Sequence, residues 1–363
     1  MKIIHCADLH LDSKMESNLD PAKARIRRAE LLDTYDTMVR YAVEHQVRVI
    51  MIAGDLFDKP HIRKTAKVRV LEQMYEHPEI DFLYLKGNHD KSDFLEDMDE
   101  DELPENLKLF PGDQWTSYAY DDVIITGMEL NAANSKTLAM NLVLDQMKCN
   151  IVMLHGQESL YEGKEQAEII NLTELKNKNI DYLALGHIHG YKLERLDERG
   201  EYCYCGCLEG RGFDECGEKG FVLLDVEDGK VSSEFVSIAG RCFHEVEVTI
   251  NDQMNMPQVI DTIQESTSHI SEKDMVKVLL KGQIDMDTDL DLNRIVRSFQ
   301  ERFFFFKVYD RTQMLIDYDS FANDKSLKGE FVRLMQQQDM SEEERAAIIE
   351  LGIKAIMGEE VEE

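Results

Sequence analysis

The sequence has little with which to cross a membrane, cross-link itself or cover itself in positive charge. No apolar run reaches the roughly 18 residues of a membrane span, and Met1–Leu11, with Asp8 inside it, lacks the apolar core of a secretory leader. Seven cysteines in 363 residues are too sparse and too odd in number for a disulfide framework, which implies a reduced, cytoplasmic protein. The six prolines are scattered, and neither a low-complexity linker nor an internal repeat is present. Basic residues are outnumbered 41 to 72, giving a formal net charge of −31. That excludes a protein whose whole surface is a cationic nucleic-acid binder, although not a local basic patch.

What is present is 43% hydrophobic residues, enough for a proper core in a chain long enough for about two domains. Residues 1–240 alternate short apolar runs with helical patterns, an α/β signature. The expected strands are Lys2–Ala7, Val47–Ala53, Asp81–Lys86, Val123–Gly127, Asn150–Leu154, Asp181–Leu185, Glu201–Cys207, Phe221–Val226 and Val231–Ile238. Most are continuous rather than alternating, as in strands covered on both faces. Helices are expected at Asp20–Gln46, Arg63–Glu76, Ser135–Lys148 and Leu172–Asn177.

Beyond Gly240 the pattern changes. Strands at Phe243–Ile250, Met275–Leu280 and Phe303–Tyr309, separated by helices at Pro257–Glu265 and Leu290–Glu301, read as a small α+β domain over 241–316. Residues 317–363 read as a helical tail, Lys325–Gln338 and Glu342–Met357, the second opened by a Ser341/Glu344 capping box. Phe303–Phe306 reads as part of a buried strand.

Five of the early strands end in polar clusters: Ala7-Asp8-Leu9-His10, Ala53-Gly54-Asp55, Gly87-Asn88-His89-Asp90, Leu154-His155-Gly156 and Gly186-His187-Ile188-His189. In α/β sheets the edge beyond the strand C-termini is where ligands bind, so residues far apart in sequence can converge there. Asp8 and His10, two apart, face one side of an extended segment, as do His187 and His189. Asp, Asn and His without thiolate suit Mn, Fe or Zn, and there are enough donors for two metals sharing one bridging oxygen. Turns favour Asp and Gly anyway, so each cluster alone is weak and only the set of five points to a metal site. Cys203, Cys205 and Cys207 alternate along one late strand and read as small buried side chains before they read as a thiolate site.

The set resembles the calcineurin-like metallophosphoesterase superfamily, whose signature runs D-x-H, G-D, G-N-H-[DE], H and G-H-x-H. Within it the chain is most similar to SbcD-type DNA repair exonucleases and their double-strand-break relatives, through Met1–Ser13, Ala53–Asp58 and Gly212-Phe213-Asp214-Glu215 before Lys219-Gly220. It departs where relatives read Tyr-Pro-Gly-Ser and this chain has Tyr204-Cys205-Gly206-Cys207. The resemblance implies a two-sheet β-sandwich flanked by helices, a four-layer αββα domain, followed by a small capping domain and a helical tail. It implies one metal on Asp8, His10, Asp55 and His189, and a second on Asp55, Asn88, His155 and His187. Manganese is the first choice of ion, iron or zinc the alternatives. His89 then stands beside the scissile phosphate, oriented by Asp90.

The expected reaction is phosphodiester hydrolysis, on DNA as an exo- or endonuclease, with an SbcC-like coiled-coil ATPase docking on the tail. A homodimer fits the same resemblance, and no membrane partner is expected. Basic residues after the first motif (Lys23, Arg25, Arg27, Arg28) and after the second (Lys59, Arg63, Lys64, Lys67, Arg69) stand where they can grip phosphates, Arg28, Arg63 and Lys64 first among them. An acidic run (Asp93, Glu96, Asp97, Asp99, Glu100, Asp101, Glu102) opposes a long duplex on that side. The competing readings are a phosphodiesterase or phosphatase of nucleotides or phosphoproteins, and a non-catalytic scaffold subunit.

Overall fold

Apolar β-rich runs and amphipathic helices fold into two compact units, Met1–Cys242 and Phe243–Glu363. The computed structural model describes the chain apart from residues 16–18, 59–61, 91–94, 96–102, 160–168, 286–289, 316–317 and 358–363, so the acidic run and Lys59 lie outside the described residues.

In chain order the first unit contains β1 (Lys2–Cys6), β2 (Val49–Ala53), β3 (Asp81–Leu85), β4 (Leu107–Leu109), β5 (Thr116–Tyr120) and β6 (Val123–Gly127). There follow β7 (Cys149–His155), β8 (Gln157–Ser159), β9 (Ile169–Asn171) and β10 (Tyr182–Gly186). It closes with β11 (Lys192–Arg195), β12 (Glu201–Tyr204), β13 (Gly220–Glu227) and β14 (Lys230–Ser237). Its helices are α1 (Pro21–Glu44), α2 (Lys64–Glu76) and the single turn α3 (Leu172–Leu175). One six-stranded sheet runs β14-β13-β1-β2-β3-β4, the other β11-β12-β10-β7-β6-β5. β1, β2 and β3 are parallel neighbours, as are β7 and β10.

Strand alternation sorts the core into layers. Ile3, Ala7, Met51 and Leu83 face Ile125, Ile151, Met153 and Ala184 between the sheets. Ile4, Cys6 and Ile52 pack outward on Leu31, Tyr35 and Val39 of α1 and Val70 and Met74 of α2. Val152, Leu154, Leu183 and Leu185 meet Leu138, Leu142, Leu172 and Leu175 on the far side. Each buried Val, Leu, Ile or Met among them contributes roughly 1.5–3 kcal/mol. α1 begins cleanly because the Asp20 carboxylate accepts from Ala22 N and Lys23 N and Pro21 occupies the first turn.

The outer layer on the second sheet is thinner than the sequence pattern suggests. The helix expected over Ser135–Lys148 is absent; turns and one 3-10 turn, Leu138–Met140, stand there. Asn131 Oδ1 accepts from Ala133 N and Asn134 N, while Asn134 Nδ2 donates to the Gly112 and Glu129 carbonyls. These bonds fix the turn that leads into Ser135. The expected Glu201–Cys207 strand stops at Tyr204, just before Gly206 turns with φ +75°.

The second unit comprises β15 (Phe243–Asn251), α4 (Met256–Ser266), β16 (Met275–Asp285), α5 (Leu292–Phe299), β17 (Phe305–Asp310), β18 (Gln313–Leu315), α6 (Tyr318–Phe321), α7 (Leu327–Gln336) and α8 (Glu342–Met357). β15, β16 and β17 form a parallel sheet, with β18 paired to β16. Val248, Val278 and Val308 face Ile263, Ile295 and Phe299 of the crossing helices, and Phe303 and Phe306 are buried with them. The Ser341/Glu344 capping box forms. Val332, Met335, Ile349 and Ile353 make a separate small core. None of the described helices is long and apolar enough to cross a membrane.

Candidate metal centre

Because β1, β2 and β3 are parallel neighbours, their C-terminal ends share one edge, and the same holds for β7 and β10. Asp8 N donates to Gly54 O (3.1 Å) and His10 N to Asp55 O (2.9 Å), stitching the first two loops together. His155 ends β7, and His187 follows β10 with its backbone N–H on both oxygens of Asp8 (3.0 Å each). That pair of bonds ties the second sheet's rim to the first.

Here seven side chains converge. His10 Nε2 lies 3.2 Å from His189 Nε2. Asp8 Oδ1 is 3.9 Å from His189 Nε2. Asp55 Oδ2 stands 3.7 Å from His10 Nε2 and 3.4 Å from His155 Nε2, between the two groups. Asn88 Oδ1 is 2.9 Å from His155 Nε2 and 3.4 Å from His187 Nδ1. Asp8, His10 and His189 each offer a donor atom within 4.8 Å of the others, as do Asp8, Asp55 and His155.

The convergence does not come from extended backbone. Asp8 (φ 53°), His10 (φ 43°), Asp55 (φ 53°) and His187 (φ 104°) all lie in the left-handed region, correcting the expectation that Asp-x-His and His-x-His pairs aim by strand alternation. Each such residue costs on the order of 1–3 kcal/mol and persists only when its surroundings over-determine it. Gly54, at φ +92°, lies against the His155 ring, and a Cβ on Gly87 would strike Asp55 Oδ1.

Burial and mutual charge set the electrostatics. Burial pushes the Asp8 carboxyl up to about 6 against the pull of His155 and His189. Burial lowers His10 to about 4. For His155 burial opposes the charged form, yet Asp55 and Asp8 carry it up to about 9. Asp55, in spite of burial, is held well below the ordinary carboxylate range by His155 and His10. His155 Nδ1 donates to Ala53 O (2.9 Å), which turns Nε2 toward Asn88 and Asp55. Two imidazole nitrogens facing each other, flanked by acids and an amide oxygen, are a donor set that a divalent cation satisfies better than a proton does. The mixed N/O chemistry suits Mn, Fe or Zn.

Three further residues hold this set in place. Asp58 Oδ1 is 3.4 Å from both His10 Nδ1 and His89 Nδ1. Glu215 Oε1 accepts from His189 Nδ1 at 2.5 Å, and Arg211 reaches both Glu215 (3.1 Å) and Asp58 (3.5 Å). Asp58 and Glu215 lie within stretches that signal the resemblance, but nothing in the sequence marks their partners. Asp90, expected to orient His89, instead accepts from the backbone N–H groups of Leu56, Phe57 and Gly87. It shapes the loop, and the carboxylate beside His89 is Asp58.

The proposed substrate cations fare unevenly. Arg28 donates to the Lys14 carbonyl at 3.2 Å. Arg63 pairs with Asp12 through its guanidinium and its backbone N–H. Lys64 opens α2 and is exposed. Arg27 is fully buried against Glu209, and Arg69 is held by Asp33 and Asp36. Cys203, Cys205 and Cys207 are buried, and burial pushes the Cys203 thiol up to about 12.

A rim of acids and imidazoles at the C-terminal edge of two packed sheets defines a metal-dependent hydrolase. The chain belongs to the calcineurin-like phosphoesterase family, whose profile matches residues 1–191. It is 28% identical over 297 residues to the metallophosphoesterase YhaO of Bacillus subtilis, covering 78% of this chain and 72% of that protein. The DNA double-strand break repair protein Mre11 of Sulfurisphaera tokodaii is 26% identical over 318 residues, 83% of this chain and 77% of its own. That of Sulfolobus acidocaldarius is 21% identical over 323 residues, 85% and 82%.

Proposed function

We propose that the chain is a two-metal phosphodiesterase that cuts DNA as the nuclease subunit of a repair assembly. The observation that carries the two-metal reading is the position of Asp55 Oδ2, within 4 Å of both His10 and His155. One ion would be held by Asp8, His10, Asp55 and His189, the other by Asp55, Asn88, His155 and His187, with manganese first among the candidates. When bound, such a pair supplies Lewis acidity that activates water near neutral pH and neutralises phosphate oxygens during in-line attack.

The chain's own groups do the rest. His89, with a side chain 45% exposed, stands at the open edge of the cluster. Its backbone N–H is fixed on Asp55 Oδ1 (2.8 Å), and Asp58 faces its Nδ1. That leaves Nε2 to stabilise or protonate the leaving oxygen of the scissile phosphate. Asp90, through three backbone amides, keeps the Gly87–His89 turn closed.

DNA is favoured as substrate by the repair proteins that align over both units of the chain. An SbcC-like ATPase is the proposed partner of the tail, where Leu327, Leu334 and Leu351 expose apolar surface on α7 and α8. The proposed setting is the cytoplasm, a reading supported by seven cysteines none of which is joined in a disulfide. One observation favours a smaller phosphodiester: Arg27, Arg63 and Arg69 are each taken by carboxylates and so are poorly placed to grip a duplex. Mn²⁺-loaded protein offered end-labelled DNA, a cyclic nucleotide and a phosphopeptide separates the readings. Preferential DNA cleavage, weakened more by Lys64→Glu than cleavage of a small phosphodiester is, supports the nuclease. Turnover of the cyclic nucleotide or phosphopeptide alone contradicts it.

A further inference from the structure

The segment from Cys207 to Lys219 lies beyond the part of the chain that the family profile matches, yet it wraps His189 on two sides. Lys219 Nζ donates to the His189 carbonyl (3.0 Å), and Cys207 N–H donates to the same oxygen (3.3 Å). At the ring, Glu215 Oε1 accepts from Nδ1 at 2.5 Å. Glu215 is itself held: Arg211 donates to Oε2 through its backbone N–H (2.6 Å) and to Oε1 through Nη2 (3.1 Å). Both Glu215 and Lys219 are about 5% exposed, so water competes little for these contacts.

An imidazole whose Nδ1 proton is taken by a fixed carboxylate presents its Nε2 lone pair in one direction. Carboxylates behind ligand histidines raise ligand basicity and fix ring orientation, and their loss typically costs about 10–100-fold in metal affinity. His155 is aimed differently, by a backbone carbonyl. His189 and His155 are therefore held by groups of different kinds.

We infer that Glu215, fixed by Arg211, is a positioning residue that aims His189 and so tunes one of the two metal positions selectively. This rests on the reading of His189 as a ligand. The test is a Mn²⁺ titration of the full chain followed by electron paramagnetic resonance, which reports free ion, single occupancy and spin-coupled pairs without reference to turnover. Glu215→Ala is expected to weaken one Mn²⁺ by about 10–100-fold while leaving the other unchanged. Glu215→Gln, which keeps an oxygen acceptor, restores part of that loss, and Arg211→Ala shifts the same ion in the same direction. Equal weakening of both ions, or affinities within twofold of the parent in Glu215→Ala, overturns the inference. If Glu215→Ala does not fold, unchanged affinities in Arg211→Ala overturn it. His189→Ala serves as the control: two parental Mn²⁺ sites in that variant remove the underlying ligand reading itself, a distinct failure.

Discussion

His10 Nε2 and His189 Nε2 face each other at 3.2 Å although 179 positions separate them in the chain. One follows the first strand of one sheet and the other follows the penultimate parallel strand of the second, so their meeting reports how the two sheets are packed. Neutral imidazoles can share only one proton along that line, and nearby Asp8 and Asp55 add negative charge.

A divalent cation should therefore stabilise the folded chain. At a concentration 100 times its Kd, an ion that binds only the native state adds about 2.7 kcal/mol. Thermal unfolding with and without Mn²⁺ should show a rise of several degrees in the parent. Most of that rise should vanish in His10→Ala and His189→Ala.

Gly87 leaves no room for a side chain. A Cβ there would overlap Asp55 Oδ1, the oxygen that also accepts from His89 N–H. Gly87→Ala should disturb the bridging carboxylate and the leaving-group histidine together. Phosphodiester turnover at saturating Mn²⁺ should fall more than tenfold, with a stability loss of about 1–3 kcal/mol by chemical denaturation.

The Arg27–Glu209 pair anchors α1 to the loop that leads to Glu215. Arg27 Nη2 donates to Glu209 Oε1 (2.9 Å) and to Gly210 O (2.6 Å), while Thr34 and the Gly240 N–H bond the other Glu209 oxygen (2.8 Å each). Removing Arg27 leaves the buried Glu209 charge without its cationic partner, a change that costs about 3–5 kcal/mol. Denaturant unfolding of Arg27→Ala should show a loss in that range. Arg63→Ala, at an exposed pair, should lose less than about 1 kcal/mol.

His5 sits between the sheets with its Nδ1 on the Tyr182 hydroxyl (3.0 Å). Burial, opposed by the Leu185 carbonyl, lowers it from 6.5 to about 3. The native ring is neutral while the unfolded ring titrates near its ordinary value. Its stability contribution is complete above 6.5 and is lost as pH falls toward 3, at up to about 1.4 kcal/mol per pH unit. His5→Gln should flatten the stability–pH slope across that window relative to the parent, measured by denaturant unfolding at stepped pH.

The strands that carry the site were readable because β1, β2, β3, β7 and β10 are largely apolar runs that end abruptly in polar residues. The aiming of the ligands was not readable. Asp8, His10, Asp55 and His187 have left-handed backbone; Asp and His tolerate it more than most residues do, but the tolerance does not say where it is used, and contacts between loops select it. Short strands such as β4 and β11, of three and four residues, are too brief to show a readable period in the sequence. The expected Ser135–Lys148 helix is replaced by turns and a single 3-10 turn, Leu138–Met140. The histidine partners of Asp58 and Glu215 were not readable because a carboxylate behind a histidine has no spacing rule in the chain.

Anomalous scattering from crystals soaked in Mn²⁺ tests the central claim most directly. The account predicts two peaks, one within bonding distance of Asp8, His10, Asp55 and His189, the other of Asp55, Asn88, His155 and His187. A single peak, or any arrangement in which Asp55 touches only one ion, would contradict it.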